Sequence, residues 1–255
     1  MKKSKGTYKR KKYEKIVKKD YSKSYLEQKR KRLEKPNNYP KTRLILIKDF
    51  FRARDLYKGL FFFFSSQVSI ITLASSNKYP HIAGALNLLA IILGIIPIVF
   101  AIREINKRQY YDDTRRSFRL ATSLKGVIYI LFLVVTMTYI FNKLGINMVK
   151  QPNQTSIENL LTDYPITMLF IMVFVSPITE EIVFRELLPY ASGPSYLSFG
   201  ISSIIFVALH APFGLMGWTN YGILSAVFLY TRLKDNNVYT AIVTHIIWNA
   251  LTIII

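Results

Sequence analysis

The sequence contains no cysteine and little negative charge. Without cysteine the chain cannot form disulfides, use a thiolate as a nucleophile or build a cysteine-based zinc site. Asp and Glu number 15 against 35 Lys and Arg, which gives a formal charge of +20. No apolar segment opens the chain, because the first one follows a long basic region, so we expect no cleavable signal peptide.

Apolar residues make up 51% of the chain and are gathered into blocks. Each block approaches or exceeds the roughly 17–25 residues that a helix needs to cross the hydrocarbon of a bilayer. We therefore predict an all-α, polytopic membrane protein with about seven transmembrane helices in residues 57–255. The blocks lie at about 57–75, 81–102, 124–142, 164–189, 196–213, 215–232 and 238–255.

Residues 1–56 form a separate basic region that holds 21 of the 35 Lys and Arg. We interpret it as a cytosolic or interfacial extension that contacts anionic lipid headgroups. Contact with a partner protein is the alternative, and no nucleic acid is expected. The loop after the second block is also basic, so the positive-inside rule places the N-terminus in the cytosol and the protein in the cell membrane as a multi-pass protein.

A cluster of charged residues interrupts the fourth apolar block at Glu180, Glu181 and Arg185. A charge at mid-membrane depth costs at least about 2.5–3.5 kcal/mol, so such residues face the protein interior and find partners. On a helix Glu181 and Arg185 share a face, which predicts a structural ion pair. Glu180 is rotated by about 100° and has no evident local partner, which favours a functional role.

Three more polar residues, His210, His245 and Asn249, lie in the later apolar blocks. Counting about 1.5 Å per residue from the predicted inner ends of the blocks, they and Glu180 lie roughly 11–21 Å deep, in one slab. A packed histidine or an interhelical amide would explain each residue singly. Four polar groups that are each unfavourable inside a membrane lie at one depth, which instead indicates a common site. Phe206, one turn before His210, is predicted to pack against it.

These residue types suffice for hydrolysis of an amide without a covalent intermediate. A carboxylate and an imidazole that reach one water can activate it. A second imidazole and an amide can stabilise the oxyanion of a tetrahedral intermediate. Alternatively Glu180, His210 and His245 could hold a divalent metal such as zinc. The spacing differs from the helical His-Glu-x-x-His arrangement, so we expect no required cofactor.

Pro177 lies just before the charged cluster. Within a helix it removes a backbone hydrogen bond and frees a carbonyl group. Such a freed group is tolerated at membrane depth where neighbouring helices line a polar cavity. An ordinary helix kink is the alternative interpretation.

The motifs together resemble a known family of intramembrane proteases. Glu180-Glu181-x-x-x-Arg185, Phe206-x-x-x-His210 and His245-x-x-x-Asn249 occur in this order. They resemble the CAAX protease and bacteriocin-processing (CPBP, or Abi) family, which includes the type II CAAX prenyl endopeptidases. The resemblance covers about residues 164–255.

The resemblance implies an endopeptidase that acts on a membrane-associated protein or peptide. It implies that Glu180 is the general base, that His210 is its partner on the water, and that His245 and Asn249 form the oxyanion site. Glu181 and Arg185 would hold the architecture. Bacterial members of the family are associated with bacteriocin immunity, peptide maturation or signalling.

Two other functions fit the same residues. A non-catalytic membrane scaffold or immunity protein could bind a sensor kinase or a bacteriocin target. A proton-coupled transporter could use the buried ionisable groups as a relay. The sequence shows no internal repeat, which counts against the transporter.

Overall fold

The computed structural model of the chain describes residues 50–51, 53–111, 117–146 and 151–254. Within these ranges the chain is helical and contains no strand. The predicted all-α class is therefore confirmed. The basic extension predicted for residues 1–56 lies outside the described residues, apart from its last few positions.

Eight helices form the described part of the chain, in an order close to that of the predicted blocks. The additional helix, α4, is a short segment between the third and fourth predicted blocks. The helices are α1 Arg54–Lys78, α2 Ala83–Tyr111, α3 Leu120–Lys143, α4 Pro152–Asp163, α5 Pro165–Ala191, α6 Tyr196–Leu209, α7 Gly214–Asp235 and α8 Val238–Leu251.

Four of these helices are long and apolar enough to cross a bilayer: α1, α2, α3 and α5. The chain is therefore a polytopic membrane protein. The apolar helices α6 and α8 have 14 residues each, so they are shorter than the predicted blocks. In α6 the shortening has a local cause, because Pro212 follows the helix closely and Ala211 turns the chain at a φ of 47°.

The helix α5 is the central element of the bundle. Half of its membrane-spanning window is buried, compared with 22–33% for the other three long helices. Ile178, Ile182 and Leu187 of α5 pack into one apolar cluster with residues from the surrounding helices. α5 also carries Glu180, Glu181 and Arg185, so the most buried of the four long helices bears the charged cluster.

The helix α5 is not a regular α-helix throughout. It widens into π-helical turns at Ile171–Val175 and Val183–Leu187. Such turns are rare and frequently lie at functional sites. Between them the α-helical segment Ser176–Ile182 carries Glu180 and Glu181.

A proline, Pro177, closely follows the first π-helical turn. The N–H of Ser176 donates to the carbonyl of Ile171, five residues earlier. In the same register the next donor would serve the carbonyl of Met172, but that donor is Pro177, which has no N–H. The freed Met172 carbonyl accepts a hydrogen bond from the Asn249 side chain at 2.8 Å. The carbonyl freed by Pro177 thus connects α5 to α8.

The second π-helical turn ends in the same way. The N–H of Leu188 donates to the carbonyl of Val183, and Pro189 follows. The carbonyl of Phe184 therefore has no backbone donor in this register, and it accepts a hydrogen bond from the Ser202 hydroxyl at 2.7 Å. This second freed carbonyl connects α5 to α6. The two prolines thus attach the central helix to both of the helices that carry the histidines.

One end of the bundle is held by a buried network of charges. Arg232 donates to Glu186 at 2.9 Å, and both side chains are fully buried. Arg108 lies 3.6 Å from the other oxygen of Glu186 and also contacts Glu104 and Asp55. Among the described residues the network contains three cations and three anions from α1, α2, α5 and α7: Asp55, Lys58, Glu104, Arg108, Glu186 and Arg232. These six charges balance one another, so the ion pairs hold the end of α5 without an excess charge among these six residues.

The substitution Ser202→Ala tests the second proline contact. It leaves the buried carbonyl of Phe184 without a donor, so we expect the free energy of unfolding to fall by about 1–3 kcal/mol. Ser203→Ala is the matched control, because the neighbouring Ser203 hydroxyl is buried and has no hydrogen-bond partner among the described residues. Equilibrium unfolding in mixed detergent micelles measures both variants. Equal stability of the two variants would contradict the assigned contact.

Candidate active site

The predicted site residues come from three helices. Glu180 lies on the α-helical segment of α5 between the two π-helical turns. His210 caps the C-terminal end of α6. His245 and Asn249 lie one turn apart on α8.

The structure brings Glu180 and both histidines together. Oε2 of Glu180 lies 3.8 Å from Nε2 of His210 and 4.0 Å from Nε2 of His245. These distances are too long for direct hydrogen bonds. They suit a polar group or a water that contacts all three atoms. The side chains of Glu180 and His210 are 19% and 20% exposed, so the meeting point is accessible from outside the bundle.

The end of α6 fixes the ring of His210. The backbone N–H of His210 bonds to Val207, three residues earlier, instead of continuing the α-helical register to Phe206. The Phe206 carbonyl is instead bonded by Nδ1 of His210 at 2.7 Å. A carbonyl can only accept, so Nδ1 carries a proton. In the neutral ring Nε2 is then an acceptor that faces Glu180.

The ring of His245 is fixed by Glu181. Nδ1 of His245 donates to Oε1 of Glu181 at 3.0 Å. The neutral form of His245 therefore also directs an acceptor, Nε2, toward Glu180. Two imidazole lone pairs and a carboxylate oxygen converge on one point, where they repel one another unless a proton or a donor such as water lies between them.

Glu181 also contacts Arg185. Its second oxygen, Oε2, lies 3.4 Å from Nε of Arg185, and both side chains are fully buried. The Arg185 guanidinium is held further by the Ser225 hydroxyl at 3.1 Å and lies 4.9 Å from the Phe206 ring centroid. The sequence predicted the contact with Arg185 but not the hydrogen bond from His245. That bond makes Glu181 a positioning residue for the histidine.

The charges of this cluster leave room for one additional proton. The ionised Glu180 and Glu181 carry two negative charges, and Arg185 carries one positive charge. A net charge of −1 is costly at membrane depth. One further proton, held anywhere among Glu180 and the two imidazoles, would balance that charge.

Aromatic rings enclose both histidines. The Phe206 ring lies 4.5 Å from the His210 ring and 6.2 Å from the His245 ring, between centroids. Tyr221 lies 4.8 Å from His210, and Phe228 stacks on His245 at 4.2 Å. Tyr221 and Phe228 were not predicted from the sequence. Their spacing of seven residues places them on one face of α7, but an apolar helix offers many such pairs.

Asn249 is connected to the site through the backbone of α5. One N–H of its amide donates to the Met172 carbonyl. The amide group has a second N–H that can serve another acceptor. The structure thus gives Asn249 an interhelical contact, whereas its role at an oxyanion stays a prediction.

The donor set of the site has ligand types found in metal centres. Two imidazoles and a carboxylate are ligand types that zinc accepts. Within the described ranges, however, no group of three or more His, Asp or Glu side chains is arranged to hold a metal ion. Activation of water by the protein's own side chains is the chemistry that this geometry favours.

The comparison with known families agrees with the motifs. A family model described as "Type II CAAX prenyl endopeptidase Rce1-like" matches residues 162–251. The matched segment starts just before α5 and ends with the last residue of α8. The resemblance to CAAX-type proteases is thereby confirmed for the helices that carry the proposed site.

Two curated proteins of Lactococcus lactis subsp. lactis (strain IL1403) are similar to the chain. UPF0177 protein YvdC is 28% identical over 130 residues, which is 49% of this chain and 49% of that protein. UPF0177 protein YajF is 22% identical over 198 residues, which is 72% of this chain and 94% of that protein. The match with YvdC thus spans about half the length of that relative. No solved structure matches the chain.

A double-mutant cycle tests the contact between Asn249 and Met172. Asn249→Ala leaves a carbonyl without a donor and should lower the free energy of unfolding by about 1–3 kcal/mol. In a Pro177→Ala background, residue 177 regains an N–H that can serve that carbonyl. We expect Asn249→Ala to cost less in this background, as measured by unfolding in mixed micelles. The same cost in both backgrounds would show that the freed carbonyl does not depend on Asn249.

The substitution Glu181→Gln tests the buried ion pair. It keeps an oxygen that can accept from His245 but leaves the buried Arg185 without its ion-pair partner. Loss of one partner of a buried pair typically costs about 3–5 kcal/mol. The double variant Glu181→Gln/Arg185→Met removes both charges and should recover part of the lost stability in the same unfolding measurement. A single variant as stable as the wild type would exclude the ion pair as a structural element.

Proposed function

We propose that this protein is a membrane-embedded endopeptidase that uses Glu180 to activate a water molecule. The family match supports a CAAX-type protease, and both relatives bear names that state no activity. One observation carries the mechanism. Oε2 of Glu180 lies within 4.0 Å of Nε2 of His210 and of Nε2 of His245. The three side chains come from three different helices.

In the proposed first step Glu180 removes a proton from the water while His210 orients it. Nδ1 of His210 is bonded to the Phe206 carbonyl, so Nε2 is left to accept from the water. The water oxygen attacks the carbonyl carbon of the scissile peptide bond. The carbonyl π electrons move to its oxygen, and the proton is left on the Glu180 carboxyl group.

His245 and Asn249 stabilise the resulting oxyanion. In its protonated form His245 donates from Nε2, while its Nδ1–H stays bonded to Glu181. The second N–H of Asn249 supplies another donor. Preorganised donors of this kind act strongly because the surroundings are shielded from water. The aromatic rings that enclose the histidines supply this shielding.

The intermediate collapses when the leaving nitrogen receives the proton held by Glu180. The C–N bond breaks, the electron pair goes to the nitrogen, and the products are a carboxylic acid and an amine. Glu180 returns to the carboxylate form, so no covalent enzyme intermediate is formed. Because no step uses a metal, we expect a chelator to leave the activity unchanged.

The proposed substrate is a peptide or the tail of a membrane-associated protein. The site lies between membrane helices and is about one-fifth exposed at Glu180 and His210. An extended segment at the membrane can reach such a site without a soluble cleft. A role in peptide maturation, signalling or bacteriocin immunity is proposed from the family resemblance alone.

The substitution Glu180→Gln tests the function directly. It preserves size but removes the base, so we expect peptide-bond hydrolysis to fall by about 10²–10⁴-fold. Membranes of a host that expresses the wild type or the variant can be compared by mass spectrometry of newly formed peptide termini. Termini that depend on Glu180 would identify the substrate.

The matched control is Glu158→Gln on α4, a glutamate outside the proposed site. It should give the same termini and the same protein level as the wild type. If Glu180→Gln produces the full set of wild-type termini in a folded protein, Glu180 is not the base. If neither the wild type nor Glu158→Gln produces new termini relative to the empty host, the proposal of a protease is wrong.

A further inference from the structure

A glutamine from outside the candidate site reaches the loop that leaves it. Gln151 directly precedes α4, and its carbonyl accepts from the N–H of Thr155 at the start of that helix. Its side chain reaches the segment between α6 and α7 and contacts Phe213. That segment begins at His210. The residue before α4 thus contacts the chain three positions after a histidine of the site.

The side-chain amide of Gln151 binds both backbone groups of Phe213. Oε1 of Gln151 accepts from the Phe213 N–H at 2.8 Å, and Nε2 donates to the Phe213 carbonyl at 3.2 Å. An amide side chain carries both an acceptor and donors, so one planar group makes both bonds. Two bonds to one residue fix its orientation as well as its distance. Phe213 therefore cannot rotate without breaking one of them.

The helix α7 leaves room for this amide. Gly217 is buried on α7, and a Cβ added there would lie 2.9 Å from Cδ of Gln151 and 3.1 Å from its Nε2. These separations are shorter than ordinary van der Waals contact, so a larger residue at position 217 would displace the glutamine. Glycine permits such a close approach. The seat of Gln151 is therefore shaped by α7 as well as by the loop.

The loop after His210 contains a strained residue. Ala211 has a φ of 47°, in the left-handed region that is unfavourable for a residue with a Cβ. Such a conformation persists where the surrounding structure enforces it. Pro212 follows and has a fixed φ, so only these two restricted residues separate Phe213 from His210. Holding Phe213 therefore holds the path of the chain back to His210.

We propose that Gln151 is a positioning residue that keeps His210 next to Glu180. The inference rests on the proposed function, in which His210 orients the attacking water. The bond from Nδ1 to the Phe206 carbonyl fixes the rotation of the His210 ring. Gln151 fixes the end of α6 that bears this ring. Together they keep Nε2 of His210 at 3.8 Å from Oε2 of Glu180.

The test measures the accessibility of the histidines in the full-length protein in detergent micelles. Diethyl pyrocarbonate modifies neutral imidazoles, and mass spectrometry gives the rate at each of the three histidines of the chain, His81, His210 and His245. We expect Gln151→Ala to raise the rate at His210 by about fivefold or more, because two hydrogen bonds that hold the loop are lost. The rates at His81 and His245 should stay unchanged.

A second variant displaces the glutamine without replacing it. The methyl group of Gly217→Ala would occupy the place of the Gln151 amide, so this variant should also raise the rate at His210. In a Gln151→Ala background the same methyl group has no glutamine to displace. We therefore expect Gly217→Ala to have no further effect there. Additive effects in the double variant would overturn the assigned contact.

Each variant has a matched control in the same part of the chain. Gln154→Ala removes an exposed glutamine of α4. Gly222→Ala adds a methyl group to α7 where no atom of the described residues lies within 4 Å. Both controls should keep the wild-type rate at His210. An equal rise in the controls, a rise at all three histidines, or an unchanged rate in Gln151→Ala would overturn the proposal.

The same variants are then compared for the peptide termini that depend on Glu180. Gln151→Ala and Gly217→Ala should form these termini more slowly than the wild type and the two controls. Termini formed at the full rate by a protein with a more reactive His210 would overturn the role of Gln151 in the reaction. If the wild type forms no such termini, the proposed function fails. The labelling needs no substrate, so it still decides whether Gln151 holds His210.

Discussion

The hydrogen bond and ion pair made by Glu181 are the interactions on which the candidate site depends. A carboxylate buried in a membrane protein needs compensation, and Glu181 receives it from Arg185 and from His245. The bond to His245 fixes which ring nitrogen faces Glu180. Glu181 and Glu180 are therefore adjacent in sequence but have different partners. Glu181 orients the ring of His245, and that ring directs Nε2 toward Glu180.

The shape of α5 allows three helices to meet at this point. Each π-helical turn is followed by a proline, and each proline frees a carbonyl that a neighbouring helix then binds through Asn249 or Ser202. A regular helix without these prolines would satisfy its carbonyls internally and would offer its neighbours no free backbone acceptor. The irregular backbone therefore attaches α6 and α8 to α5 by directional bonds, in a setting where apolar packing alone discriminates poorly.

Much of this arrangement was predictable from the sequence. The apolar blocks predicted the helices, and the cost of buried charge predicted that Glu180, His210 and His245 would share a site. The partner of Glu181 on α8 was not predictable, because a contact across 64 residues has no local signal. The π-helical register was also missed, since Pro177 indicates that a carbonyl is freed but not which one. The end of α6 at His210 depends on a turn at Ala211, which a run of apolar residues does not reveal.

The short length of α6 and α8 has a consequence for the surrounding bilayer. Fourteen residues of helix span only about 21 Å, while the hydrocarbon layer is about 30 Å thick. If both helices cross the bilayer, the lipids beside them compress or the polar surface dips toward the helix ends. Either deformation would bring the aqueous boundary closer to the imidazoles. Water would then reach a hydrolytic centre there by a short path.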